Sequence, residues 1–178
     1  MHSKTKTLLF INLVGGPAVL GSYVYGIMSY PHTAHLLWGD VPEAVIPFYT
    51  ANMFVAAAGY LLFTWFVLFR IPPDSTTVLG RYGYGYFSVA TAVILLFSAI
   101  WMPLTLWVMD HSRPDLLVLV QMVLMASAIG SIMMTVGLCK AQPVANGWGW
   151  RLALIGALAF CSQTVVLDAL VWPRFFHL

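Results

Sequence analysis

The sequence predicts an all-α fold, an integral membrane bundle of five transmembrane helices forming a single domain over residues 1–178. Two observations carry this fold class. Residues 7–30, 46–69, 84–109, 116–138 and 152–167 form five stretches without a single Asp, Glu, Lys or Arg. The whole chain is 61% hydrophobic and only 8% charged, a balance that belongs to membrane proteins rather than soluble domains. At about 1.5 Å per residue, some 20 helical residues cross the ~30 Å of hydrocarbon, and four of the five stretches exceed that length. The polar connections between them are too short to hold a soluble domain. The net charge of +2, with no basic cluster and no phosphate-binding glycine loop, points to no nucleic-acid partner. The partner that composition does name is the lipid bilayer.

The first helix is expected over 7–30. Two lysines followed by an apolar run resemble a signal peptide, but the run is too long for one, so the segment reads as a retained span. Gly15-Gly16-Pro17 lies inside it, and a kink is expected where the proline frees a carbonyl. Residues 31–45 form the first loop, with His32, His35, Leu36-Leu37-Trp38, Asp40, Pro42 and Glu43. It is too apolar to be an idle linker and is expected to fold as a lid over the outer mouth.

The second helix, 46–70, starts with Pro47 in the first turn, where a missing N–H costs nothing, and ends before Ile71-Pro72-Pro73-Asp74. The third, 84–109, opens in the tyrosines of Arg81-Tyr82-Gly83-Tyr84-Gly85-Tyr86, an interfacial aromatic belt. Ser112 and Asp115 have the spacing of a capping box. They are expected to start the fourth helix, 115–138, in a tight hairpin with the third. Ala126/Gly130 and Ser127/Ser131 are small residues at four-residue spacing, which allows close backbone approach and a homodimer through such faces. The fifth helix, 149–170, holds Gln163 and ends near Asp168 and Trp172-Pro173.

Lys4, Lys6, Arg70, Arg81, Lys140 and Arg151 fall on one side of these spans, Arg113 and Arg174 on the other. Positive charge marks the cytoplasmic side, so a multi-pass protein with its N-terminus cytoplasmic and its C-terminus outside is expected. Cys139 and Cys161 are in no CxxC arrangement and read as packing thiols.

Five spans, a long first loop, a short hairpin between the third and fourth helices and seven tryptophans together resemble the translocator protein, or tryptophan-rich sensory protein (TspO), family. Three phrases carry the resemblance: Pro47-Phe48-Tyr49-Thr50 with Gly59-Tyr60; Ser98-Ala99-Ile100-Trp101-Met102-Pro103-Leu104 with Arg113-Pro114; and Leu167-Asp168 with Trp172. The family usually has Trp where Tyr49 stands, and Asn where Ser98 and Asp168 stand. Its first loop also carries more Trp and Pro. The resemblance implies a binding protein for a flat hydrophobic small molecule, a porphyrin or haem precursor or a sterol-like compound, and so a role in sensing or transport of tetrapyrroles. The cavity would lie under the first loop, walled by Tyr25, Trp38, Pro42, Tyr49, Asn52, Trp101, Pro103 and Asp168. Light-dependent porphyrin breakdown, ascribed to some relatives, would involve Trp38 and Trp101.

Each of these residues also has a plainer reading. Trp101 and Pro103 fit a core tryptophan beside a proline kink. Asp168, the lone acid near the body of a span, is either a functional intramembrane group or a solvated interfacial one. His32 and His35, at i, i+3, form a weak metal or haem motif, and no metal site is expected. Asn12, Asn52, Gln121 and Gln163 fit helix–helix glue. No nucleophile–base pair or carboxylate pair marks an enzyme, and no cofactor is required. Two other function classes remain: an accessory or assembly subunit of a larger membrane complex, without its own ligand, and a small transporter, for which paired half-helices are missing.

Overall fold

The computed structural model describes residues 2–31, 34–143 and 146–177, with Ala34 and His35 described by their backbone alone. The His32/His35 motif therefore lies outside the described residues. Five long helices dominate: α1 (Ser3–Ser29), α2 (Ile46–Arg70), α3 (Gly85–Asp110), α4 (Leu117–Lys140) and α5 (Trp148–Arg174). All five spans are long and apolar enough to cross a membrane, α4 counted with the turn before it. Their outward faces are studded with exposed Phe, Leu, Ile, Val and Met, from Phe10 and Leu20 on α1 to Ile155 and Leu170 on α5. A surface of that kind suits lipid and not water.

Helix ends follow local chemistry. The His2 ring nitrogen accepts from the Lys4 N–H at 3.3 Å and starts α1 earlier than the apolar run alone implies. Pro47 takes the first turn of α2. The expected Ser112/Asp115 capping box does not form: Ser112 sits at φ +49° and caps nothing. Asp115 instead pairs with Arg113 at 2.7 Å and 2.9 Å, a bond that holds the guanidinium above its ordinary pKa. A 3-10 turn, Pro114–Leu116, leads into α4.

The structure also holds a three-stranded ribbon, an addition to the all-α expectation. Strands β1 (Thr77–Val78), β2 (Tyr82–Gly83) and β3 (Ala141–Gln142) pair antiparallel in the order β2-β1-β3. Two residues per strand leave no readable alternation. They form because backbone groups past the ends of α2 and α4 must find partners. The ribbon ties the α2–α3 loop to the chain after α4, at the end where Lys4 Nζ donates to the Pro73 carbonyl at 3.1 Å.

The helices pack as an open ring: α1 on α3, α3 on α4, α4 on α5 and α5 on α2, with α1 and α2 scarcely touching. Glycines set the closest approaches. Gly59 of α2 and Gly156 of α5 press backbone on backbone, and Gly130 of α4 lies against Ile94 and Val93 of α3. Ser127 bonds Ser98 at 3.2 Å and Ser131 bonds Thr164 at 2.7 Å. The buried small residues Ser127, Gly130 and Ser131 of α4 and Gly156 of α5 are thus spent inside the bundle rather than on an outer face. Only 6% of the α1 span is buried, against 28–39% in the other four; α1 stands at one end of the open ring and packs mainly on α3.

Two cores result. One gathers Leu8, Phe63, Val67, Tyr84, Phe87 and Met134 toward the ribbon end. The other gathers Tyr49, Val108, Val120, Leu124, Ala169 and Trp172 toward the first loop. The space between them is not filled.

Candidate ligand cavity

A cavity of about 710 Å³ lies between the two cores and the facing sides of α1 and α2. This is within the roughly 300–1,000 Å³ of small-molecule sites. Helix α1 contributes Gly16, Pro17, Leu20 and Tyr23; α2 contributes Tyr49, Met53, Ala57 and Tyr60; α3 contributes Leu95, Ser98, Trp101 and Met102. Phe160, Gln163, Asp168 and Trp172 form the α5 wall. Leu20 and Leu61 both line the cavity and are both 67% exposed, so the cavity reaches the surface sideways, between α1 and α2.

Both ends of that slot are closed. Toward the ribbon, the Tyr60 hydroxyl donates to Asn12 Oδ1 at 2.6 Å, a direct clasp from α2 to α1. Below it Tyr60, Phe63 and Phe160 pack with ring centroids 5.1–5.7 Å apart. At the other end the first loop folds in as a 3-10 turn, Ala34–Trp38, and contributes Leu37 and Trp38 to the lining. The turn is tied to the C-terminal segment: Trp172 Nε1 donates to the Leu37 carbonyl at 2.8 Å, and the Asp40 N–H to the Phe175 carbonyl at 2.7 Å. Gly39, at φ +55°, runs so near the Phe175 carbonyl that a side chain would collide with it.

Of the eight residues expected at the site, Trp38, Tyr49, Trp101 and Asp168 line the cavity and Tyr25, Pro42, Asn52 and Pro103 do not. Tyr25 is two residues past Tyr23, on the other side of α1, and is 55% exposed. Pro42 stands exposed in the loop beyond the 3-10 turn. Pro103 follows Trp101 by two residues and faces away from the space that Trp101 fills. Asn52 sits one layer behind the wall: its Nδ2 donates to Gln163 Oε1 at 2.8 Å, and its Oδ1 accepts from the Ser162 hydroxyl at 3.2 Å. The amides Asn12 and Asn52 are thus helix–helix links, whereas Gln121 is exposed.

Asp168 is half-buried and lines the cavity. The winding of α5 explains why. After an α-helical Trp148–Cys161, the chain is a π-helix over Ser162–Val171 and a 3-10 turn over Trp172–Arg174. In an α-helix, residues five apart diverge by about 140°. Bonding from i to i+5 brings them nearly into register, and Gln163 Nε2 donates to Asp168 Oδ1 at 2.7 Å across that spacing. The Tyr49 hydroxyl donates to the Leu167 carbonyl, so α2 anchors the same segment.

Aromatic edges complete the wall. Trp101 Nε1 donates to the Tyr23 hydroxyl at 3.2 Å. Trp101 meets Tyr23 and Trp172 edge-to-face at 6.2 Å and 6.3 Å, and Trp38 meets Tyr49 at 5.7 Å. Tyr23, Tyr60, Gln163 and Trp172 are lining residues beyond the eight. Gln163 and Trp172 stood out as a buried-span amide and a motif member. Nothing in the local sequence separates Tyr23 from Tyr25, since the choice depends on which side of α1 meets α3. Among the described residues, no group of three or more His, Cys, Asp or Glu stands together as a metal site. No protein-family model, curated protein or solved structure matches this chain.

Proposed function

We propose that this chain is a TspO-like membrane protein that binds a flat, mostly apolar small molecule in the cavity between α1, α2, α3 and α5. The observation that supports the reading is a single one: an unfilled, aromatic-walled space of about 710 Å³ that includes Trp38, Tyr49, Trp101 and Asp168. Burial of apolar ligand surface, at about 25 cal/mol per Å², drives binding. The Trp101 and Trp172 indoles stack or edge against a flat ring system, and Asp168 with Gln163 orients its polar end. Loop residues Leu37 and Trp38 cap the site, and the slot between α1 and α2 admits a ligand from the membrane. The positive residues at the ribbon end support a cytoplasmic N-terminus and an outer C-terminus. Of the ligands that the family resemblance implies, a neutral sterol-like molecule suits this lining better than a porphyrin. The two porphyrin carboxylates would find no basic partner here.

The test is a titration of the purified protein in a neutral detergent. Protoporphyrin IX and the fluorescent sterol dehydroergosterol are each followed through tryptophan fluorescence. Saturable binding of at least one, weakened about fivefold to tenfold in Trp101→Ala through loss of aromatic contact, is the expected result. Linear, non-saturating signals identical in both proteins would mean partition into the micelle. The reading would then fail in favour of a ligand-free subunit of a larger complex.

A further inference from the structure

Among the described residues lining the cavity, Asp168 is the one acidic side chain, and no Lys, Arg or His shares the lining with it. The other titratable lining groups are Tyr23, Tyr49 and Tyr60. Two of these hydroxyl protons are committed elsewhere, Tyr60 to Asn12 and Tyr49 to the Leu167 carbonyl. The Asp168 carboxylate receives one neutral donor, Gln163 Nε2 on Oδ1. Among the described residues no donor reaches Oδ2. When ionised, a carboxylate in an apolar enclosure with a single neutral donor is under-compensated, and a positive partner stabilises it.

The surroundings fit such a partner. Gln163 is itself held, through Asn52 and then Ser162, so the carboxylate is positioned rather than free to swing. Trp172 lies one turn further along α5, edge-to-face with Trp101, and Trp101 edges Tyr23. A carboxylate that shares a cavity wall with electron-rich aromatic rings is an arrangement that favours an ammonium group.

Building on the cavity reading above, we propose that the ligand is an apolar molecule carrying one protonated amine. The amine pairs with Asp168 Oδ2 beside Trp101 and Trp172, and the apolar body extends toward the slot between α1 and α2. An anionic ligand is disfavoured by the same carboxylate.

The experiment compares 3β-aminocholestane with its alcohol parent cholestanol, by competition against dehydroergosterol. It is run on the wild-type protein and on Asp168→Asn in a neutral detergent. Asn keeps an oxygen that can accept from Gln163, removes the charge and puts an amide donor where Oδ2 stood. The amine is expected to bind wild type about tenfold more tightly than the alcohol. In Asp168→Asn that preference for the amine over the alcohol is expected to disappear. Equal affinities in wild type, or a preference that survives in Asp168→Asn, would overturn the amine assignment and leave the cavity standing. Failure of dehydroergosterol, amine and alcohol alike to bind saturably would overturn the cavity reading and this inference with it.

Discussion

The distance between α2 and α5 is set by two glycines, and replacing Gly59 with Ala measures how much depends on it. A Cβ on Gly156 would stand 2.7 Å from the Gly59 carbonyl oxygen and 2.9 Å from its Cα; one on Gly59 would collide with the Gly156 carbonyl. The obstacle is backbone in both directions and cannot turn aside. Restoring a carbon contact near 3.5 Å requires the helices to part by roughly 0.5–1 Å, which forfeits a quarter to a half of the dispersion energy along the seam. Overpacking of this kind costs about 1–3 kcal/mol, while Ala adds up to about 1 kcal/mol over Gly through helix propensity. Gly21, on the outer face of α1 with nothing within 4 Å, isolates the second effect. Gly21→Ala gains the propensity and meets no obstacle. The stability difference between Gly59→Ala and Gly21→Ala therefore reports the steric cost alone, about 1–3 kcal/mol. The assay is equilibrium unfolding in mixed micelles at rising SDS fraction, followed by tryptophan fluorescence. Equal midpoints for the two variants would refute the claim that the glycine pair holds α2 against α5.

Tyr60→Phe removes the clasp on Asn12 and keeps the ring in its aromatic cluster. The expected loss is about 0.5–1.5 kcal/mol, with faster amide exchange in α1 than in α4. Unchanged α1 protection would show that the clasp holds nothing. Cys139 is exposed at the ribbon end of the bundle, whereas Cys161 is partly buried within α5. With the N-terminus cytoplasmic, a membrane-impermeant maleimide should label Cys139 in inverted vesicles and leave intact cells unlabelled; the opposite pattern would reverse the topology.

Much of the fold was legible because the length and polarity that suit a bilayer are set in each element separately. Helix α2 begins and ends where Pro47 and Pro72-Pro73 place it, and α3 and α4 follow their uncharged stretches closely, whereas α1 starts earlier and α5 runs past both ends of its own. The ribbon was not legible, since two-residue strands carry no period. The Ser112/Asp115 pattern misled because Arg113, between them, offers Asp115 a charged partner that outcompetes a backbone N–H.

The site divides along the same line. Trp101, Trp38 and Tyr49 could be singled out by residue type and motif, and Asp168 by the cost of a carboxylate in a span. Their convergence could not, because it depends on groups distant in sequence: Asn52 on α2 bracing Gln163, and Trp172 holding the Leu37 carbonyl. Sequence alone determined that five helices exist, where they run and that lipid suits their outer faces, since each follows from local composition. Only the tertiary structure decided which face of each helix turns inward, that α1 and α2 stand apart, and that α5 winds to bring Gln163 and Asp168 together. Those outcomes depend on how glycine contacts and long-range hydrogen bonds fit at once, and no single segment encodes that fit.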